Sequence, residues 1–253
     1  MEKKNRLIVA LDVRTVAEAL ELVATLKDHV GMFKIGSRLF TAAGPDLVRQ
    51  IVKAGNRVFL DLKFHDIPNT VAAAVTEATR LGVTMLNVHA SGGGEMMKRT
   101  ADAVSETAAA EGLSRPFVIA VTVLTSIDET ILKATGINHS SENQVVKLGT
   151  LAAQSDMDGL VASPLEVSAL RDAINKPGFL IVTPGVRASS ATQDDQKRTM
   201  TAGEAIRAGA DYLVVGRPVV CATDPLAATQ MISAEIAAAS SAVRTAKQEP
   251  TGV

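Results

Sequence analysis

Short apolar runs alternate with longer amphipathic stretches along the whole chain. Eight runs stand out: Leu7–Asp12, Met32–Gly36, Val58–Lys63, Thr84–His89, Phe117–Leu124, Gly159–Ser163, Phe179–Pro184 and Tyr212–Gly216. Each is apolar on both faces, which predicts strands of a parallel sheet covered on each side. Between them, helical spacing of apolar residues marks Val16–Asp28, Pro45–Ala54, Val71–Leu81, Gly94–Glu111, Val145–Ser155 and Gly203–Ala208. Several of these end at or near a glycine (Gly55, Gly82, Gly112, Gly209), the residue that most readily stops a helix in a left-handed turn. Eight strand–helix units predict the α/β class and a closed (β/α)8 TIM barrel. No linker or shift in composition divides the chain, so residues 1–253 read as one domain. The polar stretch from about Ser240 is expected to fray.

The structural rival is an open Rossmann sheet, whose fingerprint is a Gly-x-Gly-x-x-Gly turn after the first strand. The first strand here runs Ala10-Leu11-Asp12-Val13-Arg14 with no glycine, and Gly92-Gly93-Gly94 follows the fourth strand without that spacing. A turn leading into a helix accounts for those three glycines.

Composition narrows the partners. The chain has 253 residues, 47% apolar and 21% charged, a profile of globular proteins and a natural size for one barrel. A formal net charge of −1 gives no basic footprint for nucleic acid. The single cysteine, Cys221, excludes an internal disulfide and reads as a buried structural residue. Only five apolar residues, Leu7 to Leu11, precede Asp12, too few for a signal-peptide core, and no stretch is long enough to span a membrane. A cytoplasmic protein is expected.

Candidate chemistry lies where the strands end, because barrel enzymes carry their active sites at the C-terminal ends of the strands. Those ends hold Asp12, Lys34, Asp61 and Lys63 with Asp66 just beyond, Asn87 and His89, Thr125 and Ser126, Ser163, Thr183-Pro184-Gly185 with Arg187, and Gly216-Arg217. Asp61 and Lys63 share one strand face and Leu60 and Leu62 the other. Charges at the end of an apolar strand are costly unless paired or used. Asp61 with Lys63 reads as a buried structural ion pair or as part of a site, and the position favours the site. Asp12 alone reads equally as a helix cap. Asn87 reads as structural support, His89 as a packing residue and His65 as a loop residue that orients its neighbours. The loops after strands seven and eight are the usual phosphate site of this fold, where Gly185 and Gly216 allow backbone amides close to an anion and Arg187 and Arg217 add charge. The connection Val186–Met200 is long and polar, as lids often are.

Taken in order, these segments resemble the orotidine 5′-monophosphate decarboxylase family. The resemblance rests on Leu11-Asp12, Lys34, Asp61-x-Lys63-x-x-Asp66 followed by Ile67-Pro68-Asn69-Thr70, Asn87-Val88-His89-Ala90-Ser91-Gly92-Gly93, Val121 through Ser126, Thr183-Pro184-Gly185-Val186-Arg187 and Gly216-Arg217-Pro218. It runs from about residue 6 to 235, and a single-function chain of this length resembles bacterial, single-domain members. It implies conversion of orotidine 5′-monophosphate to UMP, the last step of de novo pyrimidine synthesis, with no metal and no organic cofactor. It implies Lys63 as proton donor to C6 of the pyrimidine, Asp61 beside the departing carboxylate, and Lys34 and Asp66 completing an alternating charge array. It implies Asp12 and Lys34 at the ribose, Thr125 and Ser126 at the base, and Gln196 closing from the long loop. Arg217 and the Gly216 amide would hold phosphate. Ile67, Pro184 and Arg187 complete the nucleotide-binding set. It also implies a homodimer with shared sites, Asp66 and Thr70 coming from the partner.

Two alternatives remain. A Mg²⁺-dependent 3-keto-L-gulonate 6-phosphate decarboxylase or hexulose-phosphate synthase shares the fold and motif, but those relatives carry an acidic residue where this chain has Lys34, and an ammonium there opposes a divalent cation. A catalytically silent barrel that binds a phosphorylated metabolite would lack one of the mouth charges, whereas Lys34, Asp61, Lys63 and Asp66 are all present.

Overall fold

The computed structural model describes residues 6–187 and 200–248, the side chains of 186–187 and 244–248 aside. Eight parallel strands close a barrel: β1 (Leu7–Ala10), β2 (Met32–Gly36), β3 (Val58–Phe64), β4 (Met85–His89), β5 (Phe117–Val121), β6 (Gly159–Val161), β7 (Leu180–Thr183) and β10 (Tyr212–Val215). Closure is made by β1 against β10, with Leu7, Ile8 and Val9 opposite Leu213, Val214 and Val215. All eight runs seen in the sequence are strands of this barrel. Five stop earlier than the apolar run does, as the chain leaves the regular ladder. Thr122, for example, donates both its amide (3.1 Å) and its hydroxyl (2.8 Å) to the Val161 carbonyl.

The two faces of each strand meet different cores. Ile8, Ala10, Met32, Phe59, Met85, Ile119, Val182, Tyr212 and Val214 fill the barrel interior. Their neighbours, such as Val9, Phe33, Leu60, Leu86 and Leu213, pack outward against the helices. Each large side chain so buried contributes about 1.5–3 kcal/mol. Because direction alternates along a strand, the residue two beyond each interior apolar also faces the axis. Two beyond Ala10, Met32, Phe59 and Met85 stand Asp12, Lys34, Asp61 and Asn87. The apolar plug thus becomes the floor of a polar mouth.

Helices cover the outside: α1 (Val16–Leu26), α2 (Ser37–Lys53), α3 (Pro68–Arg80), α4 (Gly93–Glu111), α5 (Glu129–Ala134), α6 (Ser141–Gln154), α7 (Val167–Ala173), α8 (Ala202–Ala208), α9 (Arg217–Val220) and α10 (Pro225–Gln248). Helix α2 begins well before the expected Pro45 and is kinked at Gly44, whose φ of 66° leaves the helical region just before the proline. Helix α10 continues past Ser240 to Gln248, where the sequence suggested a fraying tail. Ser240 accepts a hydrogen bond from Arg6 at 3.3 Å and donates to the Ile236 carbonyl at 2.7 Å, which ties that turn to the barrel. Cys221, expected to be buried, is exposed just after α9. A further parallel pair, β8 (Val186–Arg187) with β9 (Met200–Thr201), brackets residues 188–199. Among the described residues no helix is long and apolar enough to cross a membrane.

Candidate active site

The mouth of the barrel holds a chain of alternating charges. Lys34 Nζ lies 3.5 Å from Asp12 Oδ1 and 3.1 Å from Asp61 Oδ2, and Lys63 Nζ donates to Asp61 Oδ1 at 2.7 Å. Four strand ends converge here because barrel closure brings β1, β2, β3 and β4 side by side. Lys34 and Asp61 are both 8% exposed, so these charges are held away from bulk water. Asp61 Oδ1 also accepts from Asn87 Nδ2 at 2.7 Å. Burial by itself pushes the Asp61 carboxyl up. The ammonium groups of Lys34 and Lys63, with the hydrogen bonds from Lys63 and Asn87, outweigh it and hold the carboxyl below its ordinary value.

The backbone is distorted at this point. Lys63 has φ 52°, a left-handed conformation rare for a residue with a side chain and costing about 1–3 kcal/mol. The β3–β4 ladder is regular to Leu60 opposite Leu86, then resumes only at Phe64 opposite Val88. Asp61, Leu62 and Lys63 lie in that interruption. The Lys63 amide donates instead to Asn87 Oδ1 at 2.8 Å. Bulges that re-aim a side chain cluster beside functional sites.

Two glycines make room for the array. A Cβ at Gly36 would sit 3.1 Å from Lys34 Nζ. One at Gly216 would sit 3.4 Å from Asp12 Oδ2, so the turn after β10 lies against the array's first carboxylate. Gly216 caps α9, whose first residue is Arg217, an exposed side chain. On β7's side the chain passes Pro184 and then Gly185, at φ 79°, into β8, where Arg187 pairs with Thr201 of β9. Thr125 is half-buried and Ser126 exposed in the turn after β5.

Not every candidate joins the array. Asp66 Oδ1 accepts from the Ile67 amide at 2.6 Å, and among the described residues no ion pair links Asp66 to Lys34 or Lys63. Asp66, Ile67 and Thr70 are exposed at the start of α3, Ile67 at 68%. Gln196 lies outside the described residues. The rings of His65 and His89 lie with centroids 5.4 Å apart, tilted by 38°. Burial, then the nearby His65 and Lys63, lowers the His89 pKa, with Asp61 opposing. That pairing was not legible in the sequence, since it depends on how the loop after β3 folds over the end of β4. Asn87 was legible as support, but not as the residue that touches both Asp61 and Lys63.

Comparisons with known proteins give the family and the fold. A sequence model described as "Orotidine 5'-phosphate decarboxylase / HUMPS family" matches residues 5–232. The chain is 52% identical over 237 residues to the orotidine 5′-phosphate decarboxylase of Moorella thermoacetica, covering 93% of this chain and 94% of that protein. It is 53% identical over 237 residues to the enzyme of the same name from Pelobacter propionicus, covering 94% and 97% respectively. Its fold matches the crystal structure of orotidine 5′-phosphate decarboxylase from Lactobacillus acidophilus with a TM-score of 0.81 at 36% identity, covering 92% of this chain and 99% of that one. With the motif set, the closed barrel and these similarities in agreement, the chain belongs to the orotidine 5′-phosphate decarboxylase / HUMPS family.

Proposed function

We propose that this chain decarboxylates orotidine 5′-monophosphate to UMP, the last step of de novo pyrimidine synthesis. The observation that carries the reading is the buried Lys34–Asp61–Lys63 array at the barrel mouth, in a chain more than half identical to proteins of that name. Breaking the bond between C6 and the carboxylate releases CO₂ and leaves an electron pair on C6, in the plane of the ring and outside its π-system. With no organic cofactor as electron sink, the protein must stabilise that charge. A fixed ammonium in a site shielded from water does so electrostatically. Lys63 supplies it, then transfers a proton to C6, and the resulting neutral amine regains a proton from solvent. Asp61 stands beside the leaving carboxylate and keeps Lys63 charged and in place until the bond breaks.

The remaining roles follow the resemblance. Asp12 and Lys34 bind ribose hydroxyls, and Thr125 and Ser126 hold the base. Pro184, Arg187, Gln196, the Gly216 amide and Arg217 bind the base–phosphate end, and Ile67 and Thr70 line the ribose side. The working unit is a homodimer in which Asp66 and Thr70 complete the partner's site. Such an arrangement would cover Ile67 and bring Asp66 to an array from which it is otherwise separate. The protein acts in the cytoplasm and uses neither nucleic acid nor membrane. Lys34 and Lys63 flank Asp61 where the magnesium-dependent relatives would need carboxylates free for the ion.

Purified protein mixed with orotidine 5′-monophosphate in EDTA, with pyrimidine absorbance followed, should convert it rapidly to UMP. No turnover there, with Mg²⁺-dependent turnover of 3-keto-L-gulonate 6-phosphate, would move the assignment to the other branch of the family.

A further inference from the structure

We infer that Asn87 is a positioning residue for the decarboxylation, holding the Asp61 carboxylate and the Lys63 backbone in one rigid unit through both ends of its side-chain amide. This inference rests on the function proposed above. Asn87 lies on β4, 1% exposed, opposite the stretch of β3 where strand pairing lapses. Its carbonyl oxygen accepts the Lys63 amide at 2.8 Å, and its amide nitrogen donates to Asp61 Oδ1 at 2.7 Å. A buried amide with each end engaged has one orientation and no cheap alternative. The left-handed turn at Lys63 leaves that residue's N–H without a ladder partner, and Asn87 supplies the acceptor. The same side chain leaves Asp61 Oδ1 only one bond to make with Lys63 Nζ, also 2.7 Å. The ammonium is therefore aimed by a carboxylate that is itself held from behind. Asn87 reaches the reaction only through these two neighbours.

The chemistry of the amide separates this role from mere packing. Asn87→Asp is isosteric and keeps the acceptor for the Lys63 N–H, but it replaces the donor to Asp61 with a second carboxylate. Asn87→Ala removes both bonds. The groups facing Asp61 are otherwise constant across the variants: Lys34 from β2 with Asp12 behind it, Lys63 from β3, His89 from β4, and His65 beside His89. A carboxylate beside a carboxylate raises the protonation range of the pair.

The test compares wild type, Asn87→Asp and Asn87→Ala for kcat and KM on orotidine 5′-monophosphate, for UMP affinity by calorimetry, for the acid limb of kcat against pH, and for thermal unfolding. For Asn87→Asp, kcat should fall about a hundredfold, the loss typical of a misaimed reacting group. UMP affinity should stay within about threefold, since the residues proposed to bind phosphate follow β7 and β10, away from β4 in the barrel order, and the acid limb should move to higher pH. Asn87→Ala should lose kcat without gaining a charge, so its acid limb should move less. An Asn87→Asp enzyme with wild-type kcat and an unmoved acid limb would overturn the inference while leaving the function intact. So would parallel loss of kcat and UMP affinity, or failure of both variants to fold, since Asn87 would then be a fold residue. A wild-type protein inert toward orotidine 5′-monophosphate would remove the functional reading, and this inference with it.

Discussion

In the proposed reaction Lys63 meets two demands that pull apart. Its ammonium must stay charged in a partly buried site, and it must later give up a proton. Asp61 meets the first by lying 2.7 Å away and staying ionised. A positioned proton donor contributes about 10²–10⁴-fold and an electrostatic stabiliser a further 10²–10³-fold. Lys63→Ala should therefore reduce kcat by at least about 10⁴-fold. UMP affinity, measured by calorimetry, should be largely kept, and comparable losses in both would mean that Lys63 serves binding rather than chemistry. Asp61 makes a second prediction. Its folded carboxyl titrates below the ordinary 3.8. Its contribution to stability is then complete above that value and is lost as pH falls through the lower folded value. The gap in melting temperature between wild type and Asp61→Asn should shrink as pH drops from about 5 to about 2.5; a gap that widens would reverse the sign of the linkage. Asp61, Lys63 and Lys34 were legible as a candidate site because period-two alternation puts charges on an inward face at a strand end. The bulge at Lys63 was not, since a left-handed lysine leaves no trace in composition.

Elements carry their own stabilising devices on the opposite end of the barrel. Asp211, just before β10, accepts the Ile181 amide of β7 at 2.8 Å and pairs with Arg171 of α7. Arg171 also donates to the Gly209 and Phe179 carbonyls, so one guanidinium joins α7 to the start of two strands. Asp158 repeats the pattern before β6, accepting the Val118 amide at 2.7 Å and pairing with Arg115. Arg171→Met would leave two carbonyls and Asp211 without this donor. The loss should be about 2 kcal/mol, tempered by the side chain's partial exposure. Urea melts should register it while kcat of the folded enzyme stays unchanged; an equal fall in kcat would show that the lower face communicates with the mouth. At this scale the eight barrel strands and six helices were legible as runs and periodicities. Helix α10 was harder to see, because its buried positions (Thr229, Ile232, Ile236, Ala239) are diluted by alanine and serine. The β8–β9 pair is too short for any period to register.

The closed barrel was legible because strand–helix units recur eight times and only closure leaves no edge. A homodimer was implied only by the resemblance, since nothing in the local pattern marks Ile67 as exposed. The proposed shared-site dimer has a consequence for mixed populations. If Lys63 of one protomer works with Asp66 of the other, a Lys63→Ala/Asp66→Asn heterodimer contains one site with both residues intact. Equal co-expression of the two inactive variants should then restore roughly a quarter of wild-type activity, since half the dimers are mixed and each has one good site. Absence of any recovery would mean that each protomer works alone.

The order of strands around the barrel bears on how such a protein can change. Every member of the charged array, with Asn87, comes from β1 to β4, whereas the residues proposed to grip base and phosphate follow β5, β7 and β10. The charged array and the proposed grip on base and phosphate thus occupy successive lengths of one chain and adjoin where β1 meets β10 and β4 meets β5. A protein recombined near the β4–β5 connection would keep its reacting groups whole while exchanging the half that decides which phosphorylated molecule is presented to them.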